Sequence, residues 1–140
     1  MGKNLQEVME EISGIRLKGT ALGWSAQQTF EAYKKLLPPE VTLVDFPSKN
    51  LNCAGYALDL NHTTSDLAGH LERDFEQVDS QKNANIYVMY FHEDWIHVGK
   101  IVDDRTAVSK WGWFEPVFKH PILFYPGSWD EIKYFRRKGV

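Results

Sequence analysis

With Cys53 as its only cysteine among 140 residues, the chain has no internal disulfide and cannot supply the thiolate set of a structural zinc site. No apolar run approaches the roughly 20 residues that cross a bilayer. The first dozen positions carry Glu7, Glu10 and Glu11, where a secretory leader would need a basic start and an unbroken apolar stretch. Positive charge is not in excess: sixteen basic against nineteen acidic residues leave a net charge of -3, which disfavours broad binding to nucleic acid or anionic lipid. A glycine-rich phosphate loop is also missing, because Gly19 and Gly23 lack a following Lys-Ser or Lys-Thr. There is no internal repeat, low-complexity tract or linker. These absences predict a protein of a reducing compartment, the cytoplasm, or one exported by a signal-free route. They predict no cofactor, no metal, and neither nucleic acid nor membrane as partner.

What is present is enough for one core. Hydrophobic residues make up 43% and aromatics 14%, a balance that offsets the entropy of folding and predicts a single domain over residues 1–140. Leu5, Val8, Met9 and Ile12 recur at helical spacing and predict a short first helix with Gly14 just beyond it. A second helix is expected from Ser25, which forms a capping-box pattern with Gln28, to Leu37, before Pro38-Pro39. Val41 to Val44 reads as a short strand, Phe46 to Leu51 as a turn, and Asn52 to Leu58 as helical. Ser65 to Val78 reads as a helix with Leu67, Leu71, Phe75 and Val78 on its buried side. The period then becomes strand-like over 85–91, 95–102 and 106–111, with close polar turns that favour an antiparallel meander. A last helix is expected over Ser128 to Arg136. The expected class is α+β, with N-terminal helices packed on a small antiparallel sheet and a C-terminal helix.

Cys53 sits where a turn becomes a helix, and unpaired amides there favour thiolate over thiol; the alternative is a buried structural thiol. His97 lies on a predicted strand in Trp95-Ile96-His97-Val98-Gly99. Alternation sends its ring to one face with Trp95 and Gly99, opposite Ile96 and Val98, and Gly99 leaves open space beside it. Such a His is the general base that a nucleophilic cysteine needs, or else a half-buried ring bonded to backbone. Ser109, on the next predicted strand, is the candidate to orient the imidazole, with Asp94 as an alternative. Lys110 reads either as a solvated charge or as a contact for a substrate carboxylate. Trp111 and the aromatics after it read as core, or Trp95 and Trp111 as cleft walls. His92, Glu93, Asp94 and His97 do not share the helical face that a zinc site of the His-Glu-Xaa-Xaa-His kind requires.

Asn52-Cys53-Ala54-Gly55 opening a helix, followed by His97-Val98-Gly99 on a strand, resembles the NlpC-type branch of the papain-like cysteine peptidases and amidases. The resemblance spans about Leu51 to Gly112. It implies a papain-like fold, with the nucleophile on a helix, the base on an antiparallel sheet and a polar third residue at Ser109. This family commonly has Asp-Cys-Ser-Gly, and His, Asn or Gln at the third position. Ser109-Lys110-Trp111-Gly112 with His120 is also similar to small bacterial papain-like proteins, which makes Lys110, Trp111 and His120 candidates without a role. The implied activity is a thiol hydrolase cleaving an amide bond in a peptide, peptidoglycan fragment or modified protein. The oxyanion would meet the Cys53 amide and a second donor among Ser48, Asn50 and Asn52. Two alternatives stand beside it. One is a catalytically silent domain that binds a protein partner as an immunity or accessory protein; the other is a transferase or deamidase using the same Cys-His pair.

Overall fold

The computed structural model describes residues 5–45, 51–60, 63–111, 116–125 and 127–139; the predicted turn with Ser48 and Asn50, and Gly112, lie outside them. Helix α1 runs Leu5–Leu22 and does not stop near Gly14. Nothing lies within 4 Å of where a Gly14 side chain would begin, so that glycine merely occupies an open helix surface. The true stop is Gly23, at φ +70°. There the Trp24 amide donates to the Gly19 carbonyl at 2.9 Å and the Gly23 amide to Thr20 at 3.3 Å, the paired bonds of a Schellman cap. Helix α2, Ala26–Tyr33, has the expected capping box: the Gln28 amide donates to Ser25 Oγ, and the Ser25 amide to Gln28 Oε1.

Strand β1 (Thr42–Asp45), helix α3 (Cys53–Ala57) and helix α4 (Leu67–Asp74) follow. Phe75–Val78 is strand β2, where helix was expected. Strands β3 (Ile86–Phe91), β4 (Asp94–Ile101) and β5 (Thr106–Lys110) form the expected antiparallel meander, and β6 (Val117–Pro121), where no strand was expected, extends it. The tail, expected to be helical, is strand β7, Glu131–Arg137. It inserts between β3 and β2 and pairs antiparallel with both, so nonlocal pairing decides both departures from the helical reading. The result is α+β: one sheet of seven antiparallel strands in the order β1-β6-β5-β4-β3-β7-β2.

Each sheet face buries its own cluster. Tyr87, Met89, Ala107 and Phe118 pack with Val8 and Ile12 of α1 on the first face. Ile86, Val88, Val98 and Phe135 pack with Ala54, Ala57 and Leu67 of α3 and α4 on the second. A bulge shifts the β3–β4 register between Met89 and Tyr90, so that Met89 faces His97 while Tyr90 faces Trp95. The extra residue overturns simple alternation. Trp95 joins the second cluster and Ile96 the first. Among the described residues, no helix is long and apolar enough to cross a membrane.

Candidate functional site

Asn52 builds the local geometry of Cys53. Its side-chain carbonyl accepts from the Gly55 amide at 2.8 Å, capping α3, and its Nδ2 donates to the Thr64 carbonyl at 2.6 Å. The Asn52 side chain is thereby occupied as a cap and a loop clamp. With only five residues, α3 has little macrodipole, so individual amides matter more than the helix as a whole. The amides of Cys53, Ala54 and Val98 favour the thiolate form of the sulfur.

The Val98 amide is available because the sheet opens beside it. Ile101 donates to the Asn85 carbonyl, so by antiparallel alternation Gly99 and His97 spend their main-chain groups on β3, whereas those of Val98 point toward β5. The β4–β5 ladder, however, holds only Lys100 with Val108 and Ile101 with Ala107. Helix α3 packs on both β4 and β5 and brings Cys53 to this seam. The Val98 amide that favours the thiolate belongs to the residue next to His97.

His97 projects to the first face and is fully buried. Its ring stacks on Tyr125 at 4.3 Å between centroids, and Arg16 of α1 lies over the Tyr125 ring at 5.7 Å. Nε2 is 3.4 Å from Tyr87 Oη, whereas Nδ1 has no hydrogen-bond partner among the described residues. Thus no hydrogen bond joins the sulfur to the ring. Space expected beside Gly99 is filled, since a Cβ there would collide with Cε1, Cζ and Oη of Tyr87. Gly99 instead leaves room for the Tyr87 ring to cross the strand toward His97.

Ser109 does not bond to His97. Its Oγ lies 2.6 Å from His120 Nε2. His120 Nδ1 in turn lies 2.7 Å from the Pro121 carbonyl. The hydrogen-bond partner of the His97 ring is therefore Tyr87, hidden at the sequence level inside the apolar run Ile86–Phe91. Asp94 is an exposed turn-side residue. Lys110 is only 2% exposed, which overturns the solvated reading; its charge acts on Cys53. Trp111 is core, packed on Phe118 and Phe124, and Trp95 packs in the second cluster.

The electrostatics set a neutral pair. Burial pushes the Cys53 thiol up, against the opposing pull of the Val98, Ala54 and Cys53 amides and of Lys110. Burial likewise holds the His97 imidazole well below its usual range, assisted by the charges of His120 and Arg16. His120 is lowered to about 4, again by burial, against the Pro121 contact. Thiol and bare imidazole are the forms that dominate at neutral pH, which suits proton transfer during attack rather than a standing ion pair. Among the described residues, no three His, Cys, Asp or Glu side chains are grouped as metal ligands would be. Compared with protein-family models, curated proteins and solved structures, the chain matches none of them.

Proposed function

We propose that the chain is a papain-like thiol hydrolase acting on an amide bond, with Cys53 as nucleophile and His97 as general base. The observation that supports this reading is the seam: Cys53 opens a helix that packs on β4 and β5, and β4 carries a buried imidazole whose Nδ1 has no hydrogen-bond partner among the described residues. A buried nitrogen left without a partner is costly for stability alone, and a proton acceptor for a thiol is what it can be. Cys53 keeps 7% of its surface exposed, so attack would come from the sulfur's open side.

Sulfur attacking the carbonyl carbon would give its proton to Nδ1, and breaking of the C–N bond would return it to the leaving amine; both transfers require the His97 ring to leave its buried place on the first face. Water completes the cycle by giving a proton to Nδ1 and attacking the thioester, and the departing sulfur takes the proton back. The Cys53 and Ala54 amides, in the first turn of α3, are the donors nearest to a developing oxyanion. An amine in place of water would give the transferase outcome, and a glutamine side chain as substrate the deamidase one.

A second reading, a catalytically silent papain-like domain that binds a protein partner, is favoured by the burial of His97 and the raised thiol. Alkylation of Cys53 by iodoacetamide, followed by mass spectrometry from pH 6 to 8, separates the two. A free thiol reacts about tenfold faster per unit below its pKa of about 8.5. A thiol whose base is already neutral reacts at a nearly constant rate. The expected result is a flat profile that becomes steep in His97→Ala. Equal slopes in both proteins, or an unreactive Cys53, favour the silent domain.

A further inference from the structure

We propose that Asp59 is a positioning residue for Cys53: its carboxylate, gripped by Lys100 and Arg137, latches the far end of α3 to the sheet and sets how far the thiol opens to solvent. Helix α3 ends in a Schellman motif, in which the Asp59 amide donates to the Tyr56 carbonyl at 3.2 Å and the Leu60 amide to the Gly55 carbonyl at 2.9 Å. Asp59 is its left-handed residue, at φ +61°, where glycine is free of the steric cost that a side chain meets. The side chain kept there forms two ion pairs. Oδ1 meets Lys100 Nζ, and Oδ2 lies 3.4 Å from Arg137 Nη2, which also donates to the Leu58 carbonyl at 3.5 Å. Lys100 is on β4 and Arg137 on β7, with β3 between them, so one carboxylate ties α3 to two strands that do not pair with each other. Each cation is braced by a ring: Lys100 Nζ lies 4.8 Å from the centre of Tyr56 in α3, and Arg137 Cζ 4.9 Å from that of Phe75. Asn52 holds the near end of the same helix to Thr64. A five-residue helix fixed at both ends keeps Cys53 buried against the sheet, and the Asp59 end is held by charge.

Asp59→Asn isolates the charge, because asparagine tolerates the left-handed region. The readout is the rate of Cys53 alkylation by iodoacetamide, a neutral reagent, at pH 7 in low salt and in about 1 M salt, where the screening length falls to about 3 Å. Wild type is expected to react faster in high salt. Asp59→Asn is expected to react about fivefold faster than wild type in low salt, the scale of two exposed ion pairs, and to ignore salt. Lys100→Met, which breaks one pair and keeps an apolar stem beside Tyr56, is expected to fall between them. Arg136→Gln severs the Arg136–Glu76 pair of β7 and β2, away from α3, and is expected to match wild type. Equal rates in wild type and Asp59→Asn, zero included, overturn the latch; so does equal acceleration in Arg136→Gln, which would make the effect one of global stability. The catalytic meaning rests on the proposed function, whereas the latch does not. Acylation of Cys53 by p-nitrophenyl acetate is expected to slow in Asp59→Asn while alkylation quickens, since the chemical step needs the thiol placed and alkylation needs it only exposed. Acylation that keeps its rate or quickens overturns the positioning role. If alkylation responds as expected but wild type is not acylated, the hydrolase reading fails and the latch stands. If acylation requires His97 and Asp59→Asn alters neither rate, the latch fails and the hydrolase reading stands.

Discussion

The two faces of the sheet solve the same packing problem with different materials. The face covered by α3 and α4 is hydrocarbon at its centre, Ile86, Val88, Val98, Ala54 and Leu67, with Cys53 and Lys110 at the seam. The face covered by α1 interleaves Ile12, Met89 and Phe118 with fully buried His97, Ser109, Tyr87 and His120. Each buried polar group must recover its lost hydration through hydrogen bonds, and the neighbouring face shows that this sheet packs without such groups. The hydrocarbon face packs at its centre on apolar side chains alone, whereas the first face packs around the Tyr87–His97 and Ser109–His120 contacts.

The most severe way to break this division is one deletion on each side. His97→Ala removes the general base and is expected to slow acyl transfer by roughly 10²–10⁴-fold, read as the single-turnover rate of Cys53 acylation, with the circular dichroism spectrum retained. Leu67→Ala, at a position 1% exposed, is expected to cost about 2–5 kcal/mol in urea unfolding and to leave the flat alkylation profile in place. Loss of the profile in Leu67→Ala at temperatures where it remains folded would show that the two faces are not separable.

The same division explains how much was readable in advance. Cys53 and His97 stood out because each breaks a local pattern, a thiol at a helix start and an imidazole in an apolar strand. The antiparallel meander was legible because turn residues separate short alternating runs. Tyr87 was not: within Ile86–Phe91 it is one more large apolar side chain, and its role depends on the bulge that sets it opposite Gly99. A one-residue shift in register is a tertiary outcome that alternation does not contain. The helix expected at Ser128 to Arg136 failed for a related reason. Ile132 and Phe135 fit a helical period, but Tyr134 and Phe135 find partners in Tyr87 and Ile86 on β3, and in Val78 and Gln77 on β2. Phe75–Val78 became a strand because β7 offered it an edge.

Acid sharpens the comparison next. His120 has a folded pKa of about 4, against about 6.5 when unfolded. Between these values the unfolded chain binds a proton that the native one refuses, so stability rises with pH across this window. The contribution is complete above about pH 6.5 and is lost as pH falls to 4, for a total of about 3 kcal/mol. His97, also lowered, acts in the same direction. Urea midpoints of wild type and His120→Gln at several pH values isolate this share, because carboxylate titration is common to both. The variant is expected to lose less stability on acidification, and parallel curves would place His120 outside the polar core.

Gly99 offers the gentlest perturbation, because it alters the polar face without removing any polar atom. A methyl group there would overlap the Tyr87 ring and its hydroxyl, and the ring has nowhere to yield, being fully buried against His97. Gly99→Ala is therefore expected to destabilise by about 1–3 kcal/mol, the usual scale of overpacking. Part of that cost should disappear when the ring is shortened. Tyr87→Leu alone leaves a void and takes the partner from His97 Nε2, whereas Tyr87→Leu with Gly99→Ala partly refills the space. The two changes should be less destabilising together than their sum, with a coupling of about 1 kcal/mol in urea unfolding. Strict additivity would mean that the glycine accommodates something other than the tyrosine, and that the geometry holding the Tyr87 hydroxyl toward His97 has a different origin.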